Sequence, residues 1–356
     1  MCRLLGYCSR GEAALADLIG DEGLCDLTAL SALHSDGWGM AWYTGGEPVI
    51  RKSPLRADDE PEYDKLARQP LSDLGLLHLR WATPGLGISE GDSHPFRYGP
   101  YVLAHNGAIH PQDRLDELLP PDWRHPPGST TDSERYFLLI MSRLAAAGGD
   151  MIAAIAAAAA SIERRFSPNS LNAILLSPAK LYAISWHDPA RVPEAQLRLR
   201  GYGDQPDKIA SYFDLAYRAT ADALVVASSG WPQPGWTPLL NRHVLVADRA
   251  TLQVQVRPLA DALLPGEGGG TVAASGDGDR DGRLVPDREV HRARDEALGT
   301  GAVVQFPGQF RHGGLTDDDR RTQHDLDELA AAVALLDHGA RGPVDIAGDD
   351  DARLRR

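Results

Sequence analysis

Short apolar runs separated by turn residues fill the first two-thirds of the chain. Leu74–Leu79, Tyr101–Ala104, Asn172–Leu176, Leu181–Trp186, Ala223–Ala227, Val244–Ala247 and Gln253–Val256 are short apolar or β-rich runs bounded by turns, so they read as strands. Asp132–Ala147 and Asp150–Arg164 repeat their apolar positions with a helical period, as does the shorter Glu12–Leu18. Asp207–Ala219 is a further helix candidate. Strands gathered at both ends around two central helices predict an α+β layered fold rather than alternating βαβ units. No internal repeat and no Gly-rich phosphate loop of the Walker or dinucleotide type interrupts this pattern.

The pattern breaks near residue 260. All seven tryptophans and all ten tyrosines precede Thr237, and beyond Asp261 only Phe306 and Phe310 are aromatic. Gly266–Gly270 and Gly276–Gly282 are Gly/Asp-rich, a composition that buries too little apolar surface to offset its conformational entropy. A folded domain is therefore expected over 2–260. A mostly disordered acidic, Gly-rich tail is expected over 261–356, with one helix candidate at 318–338, where Leu326, Leu329, Val333 and Leu336 share a face. That helix is either transient or a segment that docks on a partner.

Composition narrows the function. An apolar content of 43% is ordinary for a globular domain, and a net charge of −14 argues against a nucleic-acid partner or an anionic membrane surface. Cys2, Cys8 and Cys25 are odd in number and close together, which suits a reducing compartment; the start carries no long apolar leader, so a cytoplasmic location is expected. Met151–Ala160 is too short to span a bilayer. Cys8 and Cys25 have no His or Cys at ligand spacing, so neither a metal nor another cofactor is expected.

Cys2 carries the strongest chemical signal. If Met1 is trimmed, the residue bears both a thiol and an α-amine, and an unperturbed α-amine titrates near 8. The amine would then be a general base a few bonds from the nucleophile it activates. Three further segments follow in order: His78-Leu-Arg-Trp-Ala-Thr83, Leu103-Ala-His-Asn-Gly107 and Thr131-Asp-Ser-Glu134. Asn106-Gly107 alone signals a tight hairpin turn. Arg80 alone is as compatible with a surface ion pair, and Thr131 with Asp132 suits a helix N-cap.

Taken in order behind Met-Cys-Arg-Leu-Leu-Gly, these segments resemble the class II glutamine amidotransferases, N-terminal-nucleophile (Ntn) hydrolases, over roughly residues 2–258. The resemblance implies a four-layer αββα sandwich and assigns Cys2 as nucleophile, with the Asn106 side-chain amide and the Gly107 N–H forming the oxyanion hole. It implies that Arg80 clamps the substrate α-carboxylate and Asp132 takes the α-ammonium. Trp81 and Thr83 would begin a segment, running to His94, that closes over the substrate, and His94 in His-Pro-Phe is a further candidate contact. Asp36-Gly-Trp-Gly39 is expected as a turn and strand behind the nucleophile. The short opening suits the stand-alone subgroup, which includes γ-glutamyl hydrolases of the ergothioneine pathway. Glutamine hydrolysis that feeds ammonia to a separate synthase, hydrolysis of a γ-glutamyl conjugate, and a non-catalytic scaffold whose tail binds a partner all remain open at this point.

Overall fold

The first strand, β1 (Arg3–Ala13), sends its two faces into two different cores. Leu4 and Cys8 point to one side, and Leu5 and Tyr7 to the other. Gly6 lies in the row of Leu4 and Cys8, where a Cβ would stand 2.8 Å from the Ile174 side chain of the facing sheet. Both faces of this strand are covered, so alternation brings apolar residues to both sides rather than an apolar–polar pattern.

The computed structural model describes residues 2–83, 87–124, 128–129 and 131–259, all within one unit. The expected tail, its 318–338 helix candidate, and Gly85 of the expected closing segment lie outside the described residues. Among those described, the remaining strands are β2 (Trp38–Thr44), β3 (Glu47–Ser53), β4 (Ser72–Leu79), β5 (Phe96–Tyr98), β6 (Tyr101–Asn106), β7 (Asn172–Leu176), β8 (Lys180–Ser185), β9 (Leu215–Ala219), β10 (Ala223–Ser228), β11 (Thr237–Leu239), β12 (His243–Asp248) and β13 (Val254–Pro258). One sheet runs β11-β9-β10-β1-β4-β2-β3 and the other β13-β12-β8-β7-β6-β5. β1 is central: Leu5 faces Ala227 of β10 on one side and Leu77 of β4 on the other, both antiparallel.

Three cores define four layers. Helices α1 (Leu15–Ala29) and α2 (Pro61–Ala67) cover the outer face of the first sheet with Leu24, Leu27 and Tyr63. The two sheets share Leu4, Leu76, Ala104, Ile174 and Leu245. Helices α3 (Asp132–Ala146) and α4 (Met151–Arg165) cover the second sheet. The alanine run of α4 is buried from Ala153 to Ala159, and small side chains let it pack closely on α3 and the sheet. Asp150 caps α4 by accepting from the Ile152 and Ala153 amides at 3.0 and 3.1 Å. The layering is the expected αββα order.

Two helix expectations are corrected. Over Glu12–Leu18 the chain stays in β1 to Ala13, which pairs with Ser72 beyond a bulge, and turns helical only at Leu15. Over Asp207–Ala219 it forms a short helix α5 (Pro206–Ala210) and then β9, because β9 takes a place between β10 and β11 and ladder pairing overrides local propensity. Asp36–Gly39 is the expected turn and strand: Gly37 has φ 128° and β2 starts at Trp38. No helix among the described residues is long and apolar enough to cross a membrane.

Candidate active site

Cys2 sits where the two sheets meet, at the entrance to the central strand, and is buried. Across the interface β6 ends in Asn106. The Cys2 nitrogen donates to Asn106 Oδ1 at 2.7 Å, and the Cys2 thiol lies 3.8 Å from the Trp81 carbonyl oxygen. Asn106 is fully buried, and its other terminus, the Nδ2 amide, has no hydrogen-bond partner among the described residues. A buried amide without a partner costs about 1–3 kcal/mol, and such a donor points to an acceptor that arrives with substrate.

Gly107 follows at a position no other residue fits. A Cβ there would lie 1.9 Å from the Ser170 carbonyl oxygen and 2.6 Å from His105 Nε2. The turn after it is pinned from two sides: Asn169 Oδ1 accepts from the Ala108 amide at 2.8 Å, and Asp132 Oδ2 accepts from the Ile109 amide at 2.7 Å. Thr131, rather than Asp132, is the N-cap of α3, accepting from the Glu134 amide at 3.3 Å. Asp132 is free of that duty; buried, it makes no salt bridge among the described residues and receives the Ser133 hydroxyl at 3.3 Å.

Arg80 leaves the end of β4 buried. Its guanidinium donates to two main-chain carbonyls, Asp36 at 3.3 Å and Gly87 at 2.8 Å, with no carboxylate paired to it among the described residues. Burial pulls its pKa down, while Cys2, Asp92 and Asp36 nearby act in the opposite sense. A buried guanidinium satisfied only by carbonyls is poised to accept a carboxylate, with which it can form two parallel bonds.

Trp81 and Thr83 open onto a cleft of about 360 Å³ that is also lined by Ala108, Asn169 and Gln196. His94 goes elsewhere. Its Nδ1 accepts from the His105 amide at 3.2 Å, and its ring centre lies 4.2 Å from that of His78, tilted, and 4.8 Å from that of Phe96, edge to face. It thus braces β6 one residue before Asn106 instead of lining the cleft. His105 extends the brace, with Nδ1 2.9 Å from the Ser133 hydroxyl and Nε2 3.1 Å from the Ser170 carbonyl. Burial holds His78, His94 and His105 below the usual histidine range, so all three are neutral at pH 7.

Sequence reasoning missed Arg3 and Arg200. Arg3 is buried beside Cys2, donating to the Tyr212 carbonyl at 3.0 Å and the Tyr202 hydroxyl at 2.6 Å, with its guanidinium 4.0 Å from the Tyr212 ring centre. Arg200 stacks on Trp81 at 5.1 Å and pairs with Asp36 at 3.0 Å; the same Asp36 oxygen accepts from the Ala82 amide at 2.9 Å. For Arg3 the available signal was a charged residue beside Cys2 heading the run Leu4-Leu5-Gly6-Tyr7-Cys8; Arg200 carried no such signal.

Two antiparallel sheets between helical layers, with a cysteine leading into the central strand, define an Ntn-type hydrolase fold. The family model for class II glutamine amidotransferases matches residues 1–181, and the chain belongs to that family. The chain is 29% identical over 117 residues to a gamma-glutamyl-hercynylcysteine sulfoxide hydrolase of Mycobacterium tuberculosis, covering 31% of this chain and 50% of that one. It is 35% identical over 114 residues to a glutamine–fructose-6-phosphate aminotransferase (isomerizing) of Corynebacterium efficiens, covering 31% and 18%. The match thus spans half or less of each of these curated relatives. Among solved structures, the allosteric regulatory enzyme of purine biosynthesis shares the fold with a TM-score of 0.51 at 15% identity, covering 72% of this chain and 49% of that one.

Proposed function

We propose that the protein hydrolyses the γ-amide of a glutamyl group through Cys2, once Met1 has been removed. The observation that carries this reading is the divided duty of Asn106, whose Oδ1 holds the Cys2 nitrogen while its buried Nδ2 remains without a partner. One carboxamide would thereby register the base and cradle the oxyanion. In the first step the α-amine takes the thiol proton and sulfur adds to the amide carbonyl, whose oxygen becomes negative in front of Asn106 Nδ2 and the Gly107 N–H. The proton then passes to the leaving nitrogen, the C–N bond breaks and a thioester remains. Water, deprotonated by the same amine, releases glutamate and restores the thiol. Arg80 would bind the α-carboxylate and Asp132 the α-ammonium.

With glutamine as substrate the enzyme is a glutaminase whose leaving group is ammonia, available to a separate synthase. A second reading, a γ-glutamyl conjugate as substrate, is favoured by the cleft beside Trp81. Its 360 Å³ far exceeds the roughly 10–15 Å³ needed to hold a molecule the size of water. The relative from M. tuberculosis also bears a γ-glutamyl hydrolase name. Intact-mass spectrometry before and after 6-diazo-5-oxo-norleucine tests the shared chemistry. We expect a protein lacking Met1 that gains one adduct on Cys2. An active protein that retains Met1, or activity in Cys2→Ala, would end this reading.

A further inference from the structure

The outer wall of the cleft comes from a part of the chain beyond the 1–181 family match. Arg191, Pro193 and Gln196 form it, facing Trp81, Thr83 and Ala108. The segment that follows is anchored to the nucleophile from two directions. Leu197, Tyr202, Ile209, Tyr212 and Phe213 pack into one core with Trp81. Arg3, the neighbour of Cys2, grips Tyr202 and Tyr212, and Arg200 joins the Trp81 ring to Asp36. The wall thus runs directly into a segment packed on Trp81 and held by the neighbour of Cys2, the kind of rigid support a specificity surface requires.

Arg191 gives that wall its chemistry. Its Nε donates to Asp188 at 2.9 Å, while its terminal nitrogens have no partner among the described residues. The side chain is half-exposed and lines both this cleft and a second one of about 290 Å³, which shares Ser167 and Asn169 with the first. That second cleft is also lined by His187, whose buried Nδ1 has no partner among the described residues. The first cleft is lined by Trp81, whose carbonyl lies 3.8 Å from the Cys2 thiol, and it shares Arg191 with the second, which is lined by further hydrogen-bonding groups. Ammonia needs none of this; an amine that carries a carboxylate does, because a guanidinium with free terminal nitrogens binds a carboxylate with defined orientation.

We propose that Arg191 is a specificity-determining residue that reads a carboxylate on the leaving amine, so that preferred substrates are γ-glutamyl amino acids or short γ-glutamyl peptides. This rests on the γ-glutamyl amide hydrolase reading above. The test compares kcat/KM for γ-glutamylalanine, γ-glutamylalaninamide and glutamine in wild type, Arg191→Gln and Arg191→Lys. Wild type should favour the free acid over its carboxamide by at least about tenfold, in line with a charge-assisted hydrogen bond. Arg191→Gln should bring that ratio close to one, and Arg191→Lys should restore part of it. No preference in wild type, or an unchanged ratio in Arg191→Gln, overturns the proposal. So does a wild type that turns over glutamine alone, which would leave the Cys2 chemistry standing. A wild type that hydrolyses none of the three and takes no diazo-norleucine label would instead refute the underlying reading.

Discussion

Replacing Asn106 separates two contributions that one side chain makes. Asn106→Ala removes the acceptor for the Cys2 nitrogen and the buried Nδ2 donor together. The first loss is one buried hydrogen bond, about 0.5–1.5 kcal/mol. At about 2–4 °C per kcal/mol for a domain of this size, the melting temperature should fall by only a few degrees. The second loss is an oxyanion donor, for which about 10²–10³ in kcat, or about 2.7–4 kcal/mol, is expected. The predicted variant is thus folded, nearly as stable as wild type and slow. Asn106→Asp sharpens the test. It keeps an oxygen for the Cys2 nitrogen but replaces the donor by an acceptor carrying negative charge, so its kcat should fall at least as far. Glutamate release at saturating substrate gives kcat, and a thermal melt gives the stability term. An Asn106→Asp protein with wild-type kcat would refute the reasoning, as would an Asn106→Ala protein in which only KM changes.

The other expectations concern separate parts of the molecule. Arg80→Ala and Asp132→Ala should chiefly raise KM, by an amount corresponding to about 2–4 kcal/mol, since each leaves one charged end of the substrate unpaired; steady-state kinetics with a substrate lacking the α-carboxylate should show little further loss in Arg80→Ala. Gly107→Ala should lose stability and rate together, because its Cβ would meet the Ser170 carbonyl at 1.9 Å and backbone cannot yield cheaply; overpacking of this kind costs about 1–3 kcal/mol, readable by chemical denaturation. The buried histidines set a pH dependence. Folding holds His78, His94 and His105 below the usual histidine range, so the unfolded chain binds more protons near pH 6 and stability falls as pH drops below about 6.5, by up to about 1.4 kcal/mol per pH unit per histidine. Melting curves from pH 7.5 to 5 should show that slope, and His94→Gln should reduce it. A chain ending at Asp261 should keep its melting temperature and rate, since the residues beyond it contain no Trp or Tyr; a loss of hydrolysis in a folded, shortened chain would contradict this division.

The local pattern determined much about this protein. Apolar runs bounded by turn residues located β4, β6, β7, β8, β10, β12 and β13 to within a few residues, and the helical period located α3 and α4. The motifs singled out Cys2, Arg80, Asn106, Gly107 and Asp132 as candidates, because the residue types needed for amide chemistry are few and their order along the chain is distinctive. What local pattern missed is what pairing decides. β1 was not legible, since a strand covered on both faces loses its alternation, and β9 looked helical because its place in the ladder is supplied by β10 and β11. The partners of side chains were likewise beyond reach. Only the folded chain brings Asn106 to Cys2 across 104 residues, turns His94 inward to brace β6, and carries Tyr202 and Tyr212 back onto Arg3. Composition fixes which groups are available, but distance and burial fix which of them lack a partner, and here the unpartnered Asn106 amide and the carbonyl-bound Arg80 became visible only in the tertiary structure.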